Sequence, residues 1–457
     1  GAAPIFIEYL ADSDPFVRSL AVRGLGGVRS EDAVHYLAIA LNDVDRGVVA
    51  DAINQLAKKN SQQVRTQLVK KLELEKDERI VVELLGALRR QKNDQAVSTA
   101  LSILSAEPPT NVVAAIVKYL AVVQKDRAVN LIDSLVAEGE SYLKAACTEA
   151  FGLVGGKNVV PRLAVLFNDE DPIVRARAFE SLAKIDLDNV DFYIKRALND
   201  PDYVVVIKAI EQIKERRFST YLPVMNTIMS RGGQIDVDIR RSLLETAHVF
   251  LAANKDDTIA LKILHTGLLD PEYVVRREAA SIFSEVFGEH KLVASSPPEV
   301  RLSEREIAKA IAKFDTNPSA TIVISKGEVR IELYFDAAPL TVMNFIELTK
   351  DGFYDGLMFH RVEPNFVVQG GDPRGDGWGG PGYYIRSEYS DEPYRRGTVG
   401  MATSGKDTGG SQFFITLAPQ PHLEGRYTVF GQVIEGMEVI DQIVVGDIIE
   451  TIVIDEE

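Results

Sequence analysis

Between Ile5 and Glu289 the chain keeps returning to one pattern. Its clearest copies are Asp14-Pro-Phe-Val-Arg18, Asp171-Pro-Ile-Val-Arg175 and Asp270-Pro-Glu-Tyr-Val-Val-Arg276, each leading into an alanine-rich apolar run at helical spacing, such as Ala178, Leu182 and Ala183. One apolar anchor per copy gives Val17, Val48, Ile80, Val112, Leu143, Val174, Val205, Ile239 and Val275, a spacing of 31 to 36 residues. A helical unit this short cannot bury its own apolar face. Repetition therefore predicts an all-α solenoid of about nine helix pairs over residues 1–290. Within each unit the aspartate should cap the second helix, the proline should occupy the first turn, where its missing N–H costs nothing, and valine with alanine should face the neighbouring repeat. Arg18, Arg175 and Arg276 recur at one repeat position, which predicts a structural ladder to neighbouring aspartates rather than a ligand site.

From Lys291 to Pro318 the pattern stops. Ala294-Ser-Ser-Pro-Pro298 has the composition of a linker, and Ser303-Glu-Arg-Glu306 is a capping box for a helix to about Phe314. Ile307, Ala310, Ile311 and Phe314 give that helix an apolar stripe to bury against the solenoid end, the following domain or both. From Ala320 onward lie 19 of the 33 glycines, and strand patterns replace helices. Thr321–Ser325 and Val329–Phe335 flank a Lys326-Gly-Glu turn as a hairpin, Pro339 starts a helix through Leu348, and strands are expected near Phe359, Tyr383, Gly397, Ser411 and Tyr427. A second helix over Gly436–Ile443 and a final strand over Ile448–Ile454 complete the pattern. The reading is thus a multidomain chain: solenoid 1–290, linker with a short helix 291–318, and an antiparallel β domain 319–457 of about eight strands and two helices.

Candidate chemistry concentrates in two stretches of the β domain, FHRVEPNFVVQGGD (Phe359–Asp372) and GSQFFIT (Gly410–Thr416). Strand alternation puts Phe359, Arg361 and Glu363 on one face, ahead of a Pro364-Asn365 turn, and separates Gln412 and Phe414 from Phe413 and Ile415. One face of the second stretch suits a barrel interior, and the other offers an amide and a ring. Arg361, Phe366, Gln369, Gln412 and Phe414 would then form an apolar-floored groove with one fixed cation and two amides.

The run of FHR, QGGD, GSQFFI and finally Val429-Phe430-Gly431, in that order and spacing, resembles the signature of the cyclophilin family of peptidyl-prolyl cis/trans isomerases over the last third of the chain. The resemblance implies a closed antiparallel barrel, isomerisation of X–Pro bonds and no cofactor. It assigns Arg361, Gln412 and Phe366 to catalysis. Val367, Phe414 and Leu423 complete a proline pocket with Phe366, Gln369 helps position Arg361 or the substrate carbonyl, and the Ala402-Thr403-Ser404 backbone pairs with the peptide. His422 and Tyr427 line the rim. Family members often carry Met at Val367, Trp at His422 and His at Tyr427, so cyclosporin binding is expected to be weakened. The D-P-x-V-R units resemble HEAT-like repeats in the short form also seen in phycobilisome-lyase-type proteins. Such solenoids bind proteins on a concave face. The whole chain therefore reads as an isomerase whose solenoid docks Pro-containing clients or a protein partner; the alternative is a scaffold whose barrel binds Pro-peptides without turnover.

Composition excludes several other classes. The net charge is −16, and from Ser319 onward 22 acidic residues face 10 basic ones, a poor surface for nucleic acid. No apolar run approaches the ~18 residues that span a bilayer. Cys147, the one cysteine, sits in an alanine-rich helical run and reads as a buried structural thiol. The start at Gly-Ala-Ala-Pro suggests a processed N-terminus, which slightly favours a bacterial extracytoplasmic setting. Asp372 and Asp376, in the glycine-rich loop 370–382, lack the further carboxylates of a calcium loop. His35, His248, His265, His290, His360 and His422 show no metal-ligand spacing, and Ser411 lacks a hydrolase setting.

Overall fold

The computed structural model describes residues 3–59, 61–288 and 317–455. The expected linker helix from Ser303 to Phe314 and the Pro297-Pro298 pair lie outside the described residues. By packing, the chain divides into two compact units. One holds the repeats up to Ala128 together with the C-terminal sheet, and the other begins at Val129 and contains the later repeats.

The repeat chemistry acts as its sequence predicts at most copies. Asp14 accepts from Phe16 N with Pro15 in the first turn, and Asp171 accepts from Ile173 N with Pro172 likewise placed. Asp45, Asp77 and Asp202 cap helices without a following proline in the turn. The third clear copy departs from the pattern. Its two extra residues move the helix start to Tyr273, so Asp270 is no longer the cap. Asp270 instead accepts from Glu272 N, is buried, and pairs with Arg240.

The helices stack through their apolar faces: Pro15–Gly26 on Arg46–Ala57, then Glu78–Arg90, then Thr110–Val123 in the first unit. In the second unit Ser141–Val154, Pro172–Ile185, Tyr203–Arg216, Val237–Ala253 and Tyr273–Phe287 do the same. Seven of the nine anchors are buried, while Val17 and Leu143 are half-buried. The arginine ladder joins Arg18 to Asp43 and Arg175 to Asp200, each at 2.8 Å. Arg276 donates to the carbonyls of Asp270 and Pro271, both at 2.6 Å, as Arg18 does to those of Asp12 and Ser13 and Arg175 to those of Asp169 and Glu170. Cys147 is fully buried.

The C-terminal sheet contains β1 (Ser319–Ile324), β2 (Gly327–Leu333), β3 (Arg361–Glu363), β4 (Val367–Gly370), β5 (Thr398–Met401), β6 (Phe413–Thr416), β7 (Val429–Glu435) and β8 (Ile449–Asp455). They run β3-β4-β6-β5-β7-β2-β1-β8, all pairs antiparallel, with helices Pro339–Lys350 and Met437–Ile440. The second helix is shorter than expected, and near Tyr383 only an isolated bridge, Ile385 to Gly409, forms.

The expected closed barrel is a curled sheet whose ladder stays open between β3 and β8. Phe359 N donates to Asp447 O and Gly446 N to Phe359 O, and Met358 bridges Ile448, so the seam is held by residues just before each edge strand. This also corrects the expected phase at Phe359. Its ring enters the core with Phe345, Tyr354, Phe413 and Phe430, whereas Arg361, beyond a break in the strand, points outward.

Candidate active site

Strand alternation sorts β4 and β6 onto two faces. Val368, Phe413 and Ile415 join the interior cluster, while Val367 and Phe414 leave it for a second, smaller one with Tyr394, Leu423 and Val429. Tyr334, Phe366, Ala402 and Tyr427 pack around that second cluster. Register then sets a row across four strands: Arg361 opposite Gln369, Gln369 opposite Phe414, and Phe414 opposite Gly400.

Each place in the row has a physical reason. Arg361 Nη1 lies 3.4 Å from Gln369 Oε1 and its Nε 3.7 Å from Glu363, with the guanidinium carbon 5.6 Å from the centre of the Phe366 ring. Its side chain remains 47% exposed, so the cation is held at the surface but not consumed. Gln369 Nε2 donates to Gln412 Oε1 at 2.9 Å, and Gln412 Nε2 donates to the carbonyls of Gly377 (3.0 Å) and Gly379 (2.8 Å). The glycine-rich loop thereby fixes the flip of two amides in series, which leaves Gln369 Oε1 facing the guanidinium.

Phe414 is stacked on Tyr394 (5.7 Å between ring centres, 20°) and meets Tyr427 edge-on (5.9 Å, 88°). Gly400 stands in the row because there is no room for a side chain. A Cβ there would stand 2.6 Å from Tyr394 Oη and 2.8 Å from Phe414 Cε2, although the Gly400 backbone has no positive φ. Gly400→Ala should therefore cost about 1–3 kcal/mol through overpacking and lower turnover by displacing the Phe414 ring. Unfolding and peptide turnover with wild-type values in both assays would remove this steric role.

Comparison with known proteins agrees with the groove. Residues 319–455 match the family model of cyclophilin type peptidyl-prolyl cis-trans isomerases, and residues 3–82 and 128–214 match HEAT repeats. A peptidyl-prolyl cis-trans isomerase of Helicobacter pylori is 47% identical over 156 residues, 33% of this chain and 91% of that protein. This chain belongs to the cyclophilin-type peptidyl-prolyl cis-trans isomerases. Peptidyl-prolyl cis-trans isomerase B of Bacillus subtilis is 52% identical over 128 residues (28% of this chain, 90% of that one), and an isomerase of Synechococcus elongatus is 55% identical over 113 (25% and 78%).

In this cyclophilin-type domain the structure brings Arg361, Phe366, Val367, Gln369, Gln412, Phe414, Leu423 and Tyr427 to one face. His422 is exposed on the turn Pro421–Leu423 and stacks on Phe366 (5.7 Å, 22°). The segment from Ala402 to Ser404 follows β5, but its Ala402 N–H already donates to Gln412 O and its Ser404 N–H to Thr408 Oγ1. Sequence reasoning missed Tyr394, Val429 and Tyr334. Val429 was accessible, since it alternates with the core residue Phe430. Tyr394 lies in irregular chain, where no period applies.

Other tempting groups have local uses. Asp372 accepts from Arg374 N and Gly377 N, and Asp376 accepts from the Arg374 side chain and Trp378 N, so both shape the loop. Buried Ser411 donates its hydroxyl to Gly371 O. The ring nitrogens of His360 are buried, and burial pushes its pKa below the usual value against the pull of Asp372 and Asp376.

Proposed function

We propose that Arg361 catalyses rotation about X–Pro bonds by donating a hydrogen bond to the prolyl nitrogen as amide resonance is lost. The peptide C–N bond resists rotation by ~18–20 kcal/mol because of its double-bond character, and uncatalysed exchange takes tens of seconds. An ordinary enzymic rate therefore needs roughly 10³- to 10⁵-fold, about 4–7 kcal/mol. No nucleophile or proton transfer is required. A donor aimed where charge develops, beside an apolar floor that excludes water, is suited to supply it. The observation that carries this reading is the row of Arg361, Gln369 and Phe414 beside the Val367–Leu423 apolar cluster.

In this reading Phe366, Val367, Phe414 and Leu423 receive the proline ring, Gln369 and Gln412 orient the guanidinium, and His422 and Tyr427 shape the rim. Peptide backbone pairing falls to those groups of Ala402–Ser404 that the domain does not already use. The smaller Val367 and the polar His422 should loosen the apolar rim and weaken cyclosporin binding. The helical repeats serve as a docking scaffold for Pro-containing polypeptide clients, which gives the isomerase a role in the folding of those clients.

Because an arginine stays charged at any usable pH, kcat/KM should be nearly flat from about pH 6 to 9. His360 bears on stability instead. Burial lowers its folded pKa below the unfolded value, so the folded state disfavours protonation, and stability falls as pH drops through the ordinary histidine value of about 6.5. A steep bell-shaped profile for kcat/KM would point to an acid–base pair and overturn the mechanism.

A further inference from the structure

The turn between β3 and β4 is three residues long, Pro364-Asn365-Phe366, and it connects the strand of Arg361 to the strand of Val367 and Gln369. Asn365 sits in the left-handed region (φ 56°), where an asparagine is tolerated better than most residues. Its carbonyl accepts from Gln420 Nε2 at 2.7 Å, and Phe366 N closes the turn on Glu363 O at 3.0 Å. The Asn365 side chain reaches out of the β domain altogether. Its Nδ2 donates to Ser19 Oγ at 3.0 Å and to Asp51 Oδ2 at 2.8 Å, partners 346 and 314 residues away in the chain.

The receiving surface is built for this amide. Ser19 lies on the helix Pro15–Gly26 and Asp51 on Arg46–Ala57, and both are buried, 2% and 8% exposed. Asp51 also accepts from Arg23 Nε, which lies 3.0 Å from both of its carboxylate oxygens. Gly47, one helical turn before Asp51, leaves the space: a Cβ there would lie 2.7 Å from Asn365 Cγ. Burial raises the Asp51 pKa, while Arg23, Asn365 and Ser19 lower it, as expected of a carboxylate that relies on its partners. A second contact, Lys326 to Glu78 at 3.4 Å, joins the β1–β2 turn to the helix Glu78–Arg90.

We propose that Ser19 and Asp51 are positioning residues for the isomerase, clamping the Pro364–Phe366 turn through Asn365 so that Phe366 and Arg361 hold their places in the groove. The first two repeats thereby support the catalytic machinery as well as docking clients. Phe366 follows Asn365 directly, and Arg361 is joined to the same turn through the Glu363–Val367 pair of the ladder. A small displacement of the turn therefore moves both groups. The inference rests on the roles given above to Arg361 and Phe366.

The test uses the full chain and a proline tetrapeptide too small to need a docking site. Asp51→Ala and Asn365→Gly should each lower kcat/KM about 3- to 30-fold, mostly in kcat, because misplacement of catalytic groups weakens the transition state more than the bound ground state. Glycine keeps the left-handed turn, so Asn365→Gly removes the contact without adding backbone strain. The double variant should lose no more than the worse single one, since both remove the same interaction. Asp51→Asn, which retains an acceptor oxygen, should recover most of the loss, and Glu78→Ala should turn over as wild type. Wild-type turnover in both Asp51→Ala and Asn365→Gly, multiplied losses in the double variant, or an equal loss in Glu78→Ala would overturn the proposal. Arg361→Ala is measured alongside: if it is silent, the underlying site reading fails and this inference with it, whereas a loss there with a silent Asn365→Gly rejects the clamp alone.

Discussion

Arg361→Ala is expected to lower kcat/KM on a proline tetrapeptide by about 10²- to 10³-fold, the scale seen when a preorganised donor to developing charge is removed. The domain should remain folded. Nearly half of this side chain is exposed, and its contacts at 3.4 and 3.7 Å are long, so little packing is lost. The Gln369–Gln412 amide pair and its anchors at Gly377 and Gly379 do not depend on the guanidinium. Arg361→Lys should also lose most activity, because a compact ammonium cannot present the planar fork of donors that Gln369 orients. Turnover of Arg361→Ala within a few-fold of wild type would refute the assignment. The single tryptophan, Trp378, lies in the loop that holds Gln412, so its fluorescence reports whether this domain, rather than the repeats, has stayed folded.

Phe414→Ala should be costly in a different way. The ring is 5% exposed and is packed by Tyr394 on its face and Tyr427 across its edge, at the centre of the smaller apolar cluster. Truncating a buried phenylalanine to alanine typically costs about 3–5 kcal/mol, part of it from the cavity left behind. In this domain the cavity opens beneath the proposed proline pocket, so the loss of stability and the loss of turnover should appear together. The denaturant midpoint followed by Trp378 fluorescence should fall sharply, while peptide turnover under native conditions drops more than tenfold, consistent with loss of the apolar floor. A stability change below about 1 kcal/mol would show that the ring is not packed as described. Normal turnover in a destabilised but folded variant would remove Phe414 from the pocket.

What was legible in the sequence follows periodicity. A repeat every 31 residues or so, with aspartate and proline at helix starts, specifies helix pairs because capping and apolar spacing act within a few residues. Alternation in Gly410–Thr416 likewise separated the interior residues Phe413 and Ile415 from the groove residue Phe414, since successive side chains of a strand must point to opposite faces. The phase failed at Phe359, where the chain leaves strand geometry to hold the seam with Asp447. Asp270 failed for a comparable reason: two inserted residues convert a cap into a buried partner of Arg240.

Tertiary structure decided the rest. Tyr394 enters the groove from an irregular segment, and the row of Arg361, Gln369, Phe414 and Gly400 exists only once four strands pair in a particular register. The choice of Ser19 and Asp51 as partners for Asn365 is further still from any local signal, because helix and turn are separated by more than 300 residues of chain. A sequence by itself determines where a backbone can coil, extend or turn, since those preferences arise between near neighbours. Which buried carboxylate meets which turn amide depends on how separately formed elements pack, and there the cost of leaving either group unpaired selects the contact.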